Sequence, residues 1–501
     1  MKVPTIQLTT LRNLDAAKNS LVLFTFSGER GVMAADLKKL LPDGGKRIER
    51  FAEQRGFKGT LGDSLYVPAS GTNLTLLIGL GAKKKFTADT LRQGMARALA
   101  VVEKLRVPRA TFVWPKQLPG KIQPHKAVLA AAEGVLLGAY EFDKYKTTDK
   151  DIFSAKTITF ALERTSKQVE QALEMATKTS SAVNWARDLQ NDNADDVNPE
   201  SIEKLVRDLA RNHMLTTTVI AGEQLSKVGL NLIHAVGRAS QWAPRLVLLE
   251  YRGAAKKEPT HTIVGKGVTF DTGGVNLKPS RGGSLTEMHL DMSGAAVTLA
   301  TIRLASELKL KINLVAAIPL AENAIDGNSY KPGSVIKAFD GRTVEIGNTD
   351  AEGRLILSDA VAYVTKTYQP KSIVTVATLT GSIIAALSDF MAGLFSNNES
   401  LTKRLQKAAD ESGEALWRMP LTDDYRTLIK GTKADVSNTG PAGKGADASA
   451  GAALLESFAK DVEFAHIDIA GTSMLARRRG HMPAGGTGFG VRLLVEYLRT
   501  R

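Results

Sequence analysis

The sequence predicts an α/β protein of two domains, a smaller N-terminal α/β domain and a larger C-terminal domain with a doubly wound mixed sheet. Its 501 residues exceed what one hydrophobic core organises, since cores stop growing at roughly 250–300 residues. Short apolar runs alternate with amphipathic stretches, as is typical of a layered α/β fold. In the second part of the chain, glycine-rich motifs follow the apolar runs. Glycines in such positions favour strand-to-helix turns that approach a ligand.

The first third of the chain is predicted to alternate strands and helices. The predicted strands are residues 21–26, 74–78, 110–114 and 157–162, and the predicted helices are residues 88–105 and 126–142. A polar, helix-forming stretch follows and leads to an acidic, Asn-rich segment. We therefore expect a basic N-terminal domain at residues 1–165, a linker helix at 166–185 and a second domain at 186–501.

The second domain is expected to carry the functional site. Its predicted strands are residues 262–265, 312–318, 344–347, 373–378 and 465–470. In open parallel sheets, ligands bind in the crevice beyond the carboxyl ends of the strands. The motifs that follow these runs are therefore the candidates for chemistry.

Composition excludes several classes of protein. The chain has no cysteine, which excludes disulfides, zinc–thiolate sites and thiol catalysis, so oxygen or nitrogen must hold any metal. No run of about 18 uninterrupted apolar residues occurs, and the first residues lack the apolar core of a secretory signal. We expect a cytoplasmic protein without a membrane segment.

Positive charge is concentrated in the first third. Residues 1–165 contain 27 Lys and Arg against 15 Asp and Glu, whereas the remainder contains 39 against 37. One interpretation is a basic, solvated surface that aids solubility. The other is an acidic partner, and it leaves DNA binding through the N-terminal domain open as a second function.

Acidic side chains lie in three motifs at the predicted strand and helix ends. The turn at residues 264–274 has four glycines and displays Lys266 and Asp271, but it does not meet the phosphate-loop pattern Gly-x-x-x-x-Gly-Lys-[Ser/Thr]. A long amphipathic helix is predicted to open at residue 287, and another helix follows the strand that ends at 347. These two motifs contribute Asp291, Asp350 and Glu352, and two further cations stand nearby, Lys278 and Arg354.

Four clustered carboxylates indicate a metal site. Like charges a few ångströms apart raise each other's pKa, so the cluster needs cations to stay ionised. Oxygen-rich ligation suits magnesium, manganese or zinc, and a pair of such ions activates water against a carbonyl or phosphoryl centre. The residues alone therefore leave peptide and phosphoester hydrolysis open. His289 is predicted to point away from Asp291, and His466 to be a core residue.

Residues 348–355 read Asn-Thr-Asp-Ala-Glu-Gly-Arg-Leu. This stretch matches, without a change, the signature of the leucine aminopeptidase (cytosol aminopeptidase) family, which the sequence therefore resembles. Further motifs occur in the family's order at residues 264–274, 291–296, 377–381 and 465–471. The resemblance covers roughly residues 180–501, whereas the first third matches only in its α/β character.

The resemblance implies a metal-dependent exopeptidase that removes single, leucine-like residues from peptides. Its two divalent ions per subunit would be manganese or zinc, with magnesium or cobalt as alternatives. Asp271 and Glu352 would bridge both ions, and Lys266 would ligate as the neutral amine. The implied metal ligands are Lys266, Asp271, Asp291, Asp350 and Glu352.

The resemblance also implies catalytic and pocket residues. Lys278 would polarise the scissile carbonyl or stabilise the oxyanion, and Arg354 would hold a bicarbonate ion that acts as general base. The implied pocket for the first side chain is formed by Met288, Thr378, Leu379, Thr380, Gly381 and Ala470. Family members assemble as hexamers, so we expect a homo-hexamer.

Three stretches depart from the family pattern. The loop at residues 279–290 is two residues longer than expected and borders the pocket. The glycine-rich stretch at 439–447 is altered, and residues 477–481 are predicted to form a basic surface insertion.

Overall fold

The structure, a computed structural model, describes residues 3–15, 19–28, 44–68, 74–114, 118–148, 153–213, 215–279, 284–441 and 443–500. The chain divides into two compact units. The first comprises Met1–Ser181 with Arg477–Pro483, and the second comprises Ala182–Ala476 with Ala484–Arg501. Both units contain sheets and helices, which confirms the predicted α/β class.

The first unit contains, among its described residues, a six-stranded sheet. Its strands are β1 (Thr5–Thr10), β2 (Leu21–Thr25), β3 (Ser64–Pro68), β4 (Leu74–Gly79), β5 (Arg109–Val113) and β6 (Thr157–Leu162). Their order is β1-β6-β5-β2-β4-β3, and every neighbouring pair is parallel except β3 with β4. Its helices are α1 (Gly44–Gln54), α2 (Ala88–Lys104) and α3 (Pro124–Gly138). Strands and helices predicted for this part of the chain are confirmed.

Helix α4 (Lys167–Asn191) contributes to both units. The predicted linker, residues 166–185, lies almost entirely within this helix.

Strand β4 shows why the sheet of the first unit is stable, since all six of its residues are buried. Such continuous apolar runs are typical of parallel strands covered on both faces.

The second unit is built on a mixed sheet of nine described strands. They are β7 (Thr216–Ala221), β8 (Arg245–Arg252), β9 (Thr260–Gly265), β10 (Gly267–Asp271), β11 (Asn313–Asn323), β14 (Ser372–Ala377), β15 (Ala392–Ser396), β16 (Leu416–Arg418) and β18 (Glu463–Asp468). The order is β16-β15-β18-β14-β9-β11-β8-β7, and β10 pairs with β11. Its centre, β18, β14, β9 and β11, is parallel, while β15, β8 and β7 are antiparallel to a neighbour.

The remaining elements of the second unit surround this sheet. The helices are α5 (Pro199–His213), α6 (Glu223–Val228), α7 (Asn231–Gly237), α8 (Ser293–Glu307), α9 (Glu352–Tyr368), α10 (Gly381–Leu387), α11 (Glu399–Ser412), α12 (Asp423–Thr427), α13 (Asp447–Ala459) and α14 (Val491–Arg499). Small sheets are formed by β12 (Val335–Lys337), β13 (Thr343–Glu345) and β17 (Val436–Ser437), and by β19 (Met474–Leu475) and β20 (Gly485–Gly486). Helices α8 and α9 both pack on β9, and α13 packs on α9. None of the helices in the described ranges combines the length and the apolar character needed to cross a membrane.

Two local predictions differ from the structure. The strand predicted at residues 344–347 is β13, which pairs with β12 and β17 outside the large sheet because it is short and only its central residue is buried. The helix predicted to open at residue 287 begins instead at Ser293, after the 3₁₀ helix Ser284–Met292. Residues 280–283 of the preceding loop lie outside the described residues.

The predicted basic insertion at residues 477–481 belongs to the first unit. Arg477 and Arg478 are exposed, as expected of a surface segment, whereas His481 is buried. The Arg478 guanidinium donates hydrogen bonds to the carbonyl oxygens of Gly138 and Tyr140, at 2.8 and 2.9 Å. These bonds satisfy carbonyl groups at the end of α3, which a helix terminus otherwise leaves unpaired.

Candidate active site

A cavity of about 730 Å³ in the second unit brings together all the residues singled out from the sequence. Lys266 directly follows β9, Asp271 ends β10, Thr378 follows β14, and Ala470 lies two residues beyond β18. The cavity therefore opens at the carboxyl ends of the central strands, where ligands bind in open sheets of this kind. The predicted residues that line it are Lys266, Asp271, Lys278, Met288, Asp291, Asp350, Glu352, Arg354, Thr378, Leu379, Thr380, Gly381 and Ala470.

Three carboxylates form a compact cluster on the cavity wall. One oxygen each of Asp271, Asp350 and Glu352 lies within 4.8 Å of the other two. Asp271 and Glu352 are buried, each 2% exposed. The Oε2 atom of Glu352 has no hydrogen-bond partner within the described part of the chain. An unpaired buried carboxylate oxygen is energetically costly, and a bound cation would offset that cost, so the cluster is suited to bind one.

Two lysines contact these three carboxylates and a fourth, Asp291. Lys266 Nζ lies 2.7 Å from Asp291 Oδ2 and 2.8 Å from Glu352 Oε1. Lys278 Nζ lies 2.9 Å from Asp271 Oδ2 and 2.6 Å from an oxygen of Asp350. Their ammonium groups offset part of the negative charge of the cluster.

Burial and mutual charge alter the protonation of these groups. Burial, and after it the neighbouring Glu352 carboxylate, raise the pKa of Asp271 to about 6 against the opposing effect of the two lysines. Burial alone would lower the pKa of Lys266, but Asp291, Glu352 and Asp271 together raise it above its usual value. The site is thus an anionic cluster that holds cations tightly.

The residues present fit divalent metal ions. The cluster offers carboxylate oxygens from several chain segments, and the Lys266 amine could become a ligand once an ion displaces its proton. No histidine contributes among the described residues that line the cavity. His289 lies 3.1 Å from the Thr286 carbonyl oxygen, and His466 is fully buried, as predicted for both.

Consecutive glycines shape the turn after β10. Gly273 and Gly274 have φ angles of 86° and 63°, which side-chain-bearing residues rarely adopt. A Cβ atom on Gly274 would lie 2.9 Å from Asn323 Oδ1, and one on Gly273 would lie 2.9 Å from Asp350 Oδ1. Only glycine at both positions therefore allows the chain to turn back so that Lys278 contacts the carboxylates.

The 3₁₀ helix Ser284–Met292 explains how a pocket residue and a candidate ligand face the same cavity. In a 3₁₀ helix, residues three apart lie on one side. Met288 and Asp291 are three apart and both line the cavity. Because residues 284–292 form a 3₁₀ helix and α8 begins only at Ser293, both side chains face the cavity.

Sequence reasoning missed a hydrogen-bond network behind the carboxylates. Asn323 Nδ2 donates to Asp271 Oδ1 at 2.8 Å and to the Thr349 carbonyl oxygen at 3.0 Å. The hydroxyl of Tyr330 donates to the same carbonyl at 2.7 Å. Asn323 ends β11, five residues beyond the predicted strand end, so a longer strand would have indicated it.

A further carboxylate, Asp468, fixes residues 378–381, which include four of the predicted pocket residues and form the pocket loop. It accepts hydrogen bonds from Leu379 N at 3.1 Å, Thr380 Oγ1 at 2.8 Å and Ala470 N at 3.2 Å. Thr378 Oγ1 donates to Asp291 Oδ1 at 2.6 Å. The predicted pocket loop is therefore tied to the carboxylate cluster at one end and to β18 at the other.

Arg354 is buried beside the cluster and already has protein partners. One guanidinium nitrogen lies 2.9 Å from Asp447 Oδ1, and another donates to the Asn438 carbonyl oxygen at 3.0 Å. Asp447 lines the same cavity. The bicarbonate implied for Arg354 stays a prediction. Such an ion would have to bind next to the Asp447 carboxylate.

Models of one protein family match both parts of the chain. The cytosol aminopeptidase family, catalytic domain, matches residues 184–495, and the cytosol aminopeptidase family, N-terminal domain, matches residues 22–149. The likeness thus extends into the first third, where sequence motifs indicated only an α/β character.

Individual proteins are similar over nearly the whole chain. A probable cytosol aminopeptidase of Geobacter sp. (strain M21) is 36% identical over 501 residues, which cover 99% of this chain and 100% of that protein. Another, of Syntrophotalea carbinolica, is 39% identical over 89% of this chain and 90% of its own length. A solved structure of the bottromycin maturation enzyme BotP in complex with Mn is 30% identical with a TM-score of 0.84, and the match covers 96% of this chain and 99% of BotP.

Proposed function

This chain belongs to the cytosol aminopeptidase family, and from that premise we propose that it is a two-metal aminopeptidase with a preference for leucine-like N-terminal residues. Membership makes the chain a peptidase of a metal-dependent family. The observation that carries the finer proposal is the convergence of five candidate ligands, two cations and the pocket loop on one cavity.

The metal ions of this proposal would be held by Lys266, Asp271, Asp291, Asp350 and Glu352. Manganese is favoured because the similar enzyme BotP was solved in complex with Mn, and zinc is the alternative. When bound, two such ions would polarise the scissile carbonyl and make a water molecule acidic enough to attack it.

The remaining steps belong to side chains of this chain. A free α-amino group would be a good ligand at the proposed metal site, whereas an internal peptide nitrogen is a poor one, and this difference would restrict cleavage to the first residue. Lys278, 15% exposed at the cavity wall, donates to the oxygen on which negative charge develops. Asp468 holds the pocket loop in place while the first side chain binds.

The pocket lining supports a leucine-like preference. Met288 and Leu379 supply apolar surface, and Gly381 and Ala470 leave room beside them. A branched aliphatic side chain would bury its surface there, whereas a charged one would lose its hydration. We infer leucine or methionine as preferred first residues.

Variants of the proposed ligands test this assignment. Glu352→Ala or Asp271→Ala removes a carboxylate that would hold the metal ions, so we expect loss of bound metal and of hydrolysis. Lys278→Ala should keep its metal and lower kcat by about 100-fold, because it removes one donor to the developing charge. Metal content is measured by elemental analysis after dialysis, beside kcat. Equal metal loss in all three variants would contradict the distinction between ligands and Lys278.

A second function, DNA binding, is supported by the charge of the first unit. The excess of 12 positive charges in residues 1–165 includes the exposed run Lys83–Lys85. We expect duplex DNA to bind at low salt and to dissociate steeply as salt rises, because phosphate contacts release counterions. Lys84→Glu with Lys85→Glu should weaken this binding. An absence of binding at low salt would exclude the function.

Membership of the family also supports an expected location and an expected class of substrate for the protein. The names of the relatives, cytosol aminopeptidases, favour a cytoplasmic location, and we expect peptides as its substrates. Fractionation of cells that express the protein would test the location.

A further inference from the structure

The ion pair between Arg354 and Asp447 places a carboxylate of this chain at the position where the resemblance implies a bound bicarbonate ion. Arg354 lies in the first turn of α9, two residues after Glu352, and is only 3% exposed. Asp447 is the first residue of α13, and its Oδ1 atom lies 2.9 Å from the Arg354 guanidinium. Both side chains line the cavity that contains the carboxylate cluster.

Bicarbonate and the Asp447 carboxylate offer the same chemistry to Arg354. Each presents an anionic pair of oxygens that accepts hydrogen bonds from a planar guanidinium and can take up a proton. Two such anions on one buried guanidinium would repel each other. Bicarbonate therefore fits this site poorly while Asp447 holds its position.

The surroundings of Asp447 suit a group that exchanges protons with water. Its side chain is 46% exposed, whereas Arg354 is enclosed. Ala446, directly before it, has φ +58°, a left-handed conformation that alanine adopts at a cost of about 1 kcal/mol. This turn starts α13 with the Asp447 carboxylate at the cavity rather than on the outer surface.

Arg354 retains one donor that an added anion could use. Its Nε atom is buried without a hydrogen-bond partner among the residues that the structure describes. Measurement distinguishes Asp447 from bicarbonate as the anion beside Arg354. Activity should depend on added bicarbonate only if bicarbonate is that anion.

We propose that Asp447, held by Arg354, is the general base of the hydrolysis and takes the place of a bicarbonate ion. This inference rests on the proposed aminopeptidase function. As the oxygen of water forms a bond to the carbonyl carbon, its proton passes to the Asp447 carboxylate, and the carbonyl π electrons move to oxygen. The electron pair on the oxyanion then re-forms the C=O bond, the C–N bond breaks with its electron pair on nitrogen, and the same proton passes from Asp447 to the departing amine. Water is consumed and Asp447 returns to the carboxylate.

The test compares wild type, Asp447→Ala and Asp447→Asn with and without bicarbonate. In buffer sparged free of carbon dioxide, the wild type should reach the same kcat as with added bicarbonate. Both variants should lose about 100-fold or more in kcat, the usual contribution of a general base, with metal content unchanged. Bicarbonate should restore part of the rate of Asp447→Ala only, because the asparagine amide still fills the space. Asp423→Ala, which removes a carboxylate that is 96% exposed, is the matched control.

A second readout measures bicarbonate binding without turnover. In NMR titrations with ¹³C-labelled bicarbonate, Asp447→Ala should bind the ion and the wild type should not. A wild type that binds bicarbonate and needs it for activity, or an Asp447→Ala variant with full kcat in its absence, would overturn the proposal. A wild type inactive on every aminoacyl amide would instead overturn the aminopeptidase function.

Discussion

At the scale of single residues, His466 shows how burial couples protonation to stability. Its imidazole is fully buried, its Nδ1 atom lies 2.9 Å from Thr375 Oγ1, and its ring stacks on Phe395. Burial, and after it the positive charge of the nearby Arg354, lower the pKa of His466 to about 3. The folded protein therefore keeps this ring neutral at pH values where the unfolded chain takes up a proton.

The sign of the resulting pH dependence follows from this difference. In the unfolded chain a histidine titrates near pH 6.5, so stability from neutral His466 is present above that pH and is lost as pH falls towards 3. Between pH 8 and pH 5 the loss amounts to about 2 kcal/mol in the free energy of unfolding.

His466→Phe isolates this contribution. Phenylalanine keeps the stacking on Phe395, and the Thr375 hydroxyl retains its hydrogen bond to the Ala465 carbonyl oxygen, at 3.3 Å. Denaturant unfolding at pH 8 and pH 5 should show a smaller advantage of the wild type over the variant at pH 5. An advantage that is equal at both pH values would contradict the buried, neutral state.

Residue identities could be predicted where the sequence keeps them together. Asp350, Glu352 and Arg354 stand within one eight-residue signature, so a joint role for them could be predicted from the sequence alone. Asp468 lies within a motif that carries the resemblance, but its partner Leu379 is 89 residues away in sequence. No local pattern indicates such a contact, because it arises only when β14 and β18 pair.

At the scale of elements, the pocket loop after β14 depends on Asp468. Removing its carboxylate in Asp468→Ala would leave the backbone N–H groups of Leu379 and Ala470 without their acceptor. We expect KM for leucyl substrates to rise about tenfold and kcat to change less, since an unsatisfied buried donor costs about 1–3 kcal/mol.

The conservative variant and metal analysis give this prediction its controls. Asp468→Asn retains a carbonyl oxygen for the two N–H groups, so it should keep a KM close to the wild-type value. Both variants should retain the metal content of the wild type. A loss of metal together with kcat in Asp468→Ala would contradict a role confined to the pocket loop.

Element boundaries were predicted less well than element types. The helix expected from residue 287 begins at Ser293, because residues 284–292 adopt the tighter 3₁₀ form. Apolar periodicity does not separate these two helices over so short a segment. The same limit applies to β13, whose pairing with β12 and β17 depends on partners distant in sequence.

At the scale of the whole molecule, α/β class and two units were predictable from length and alternation. The family resemblance further implies a homo-hexamer. Light scattering coupled to gel filtration should give six times the mass of one chain at micromolar concentration. A monomeric mass across the concentration range would contradict this expectation.

The proposed function depends above all on a metal-dependent site that recognises a free N-terminus. The most direct measurement is hydrolysis of leucine p-nitroanilide beside its N-acetylated form, after removal of metal and again after restoration of manganese or zinc. We expect cleavage of the free amine alone, lost with the metal and regained with it. Cleavage of both substrates, or of neither with metal bound, would contradict an aminopeptidase of this kind.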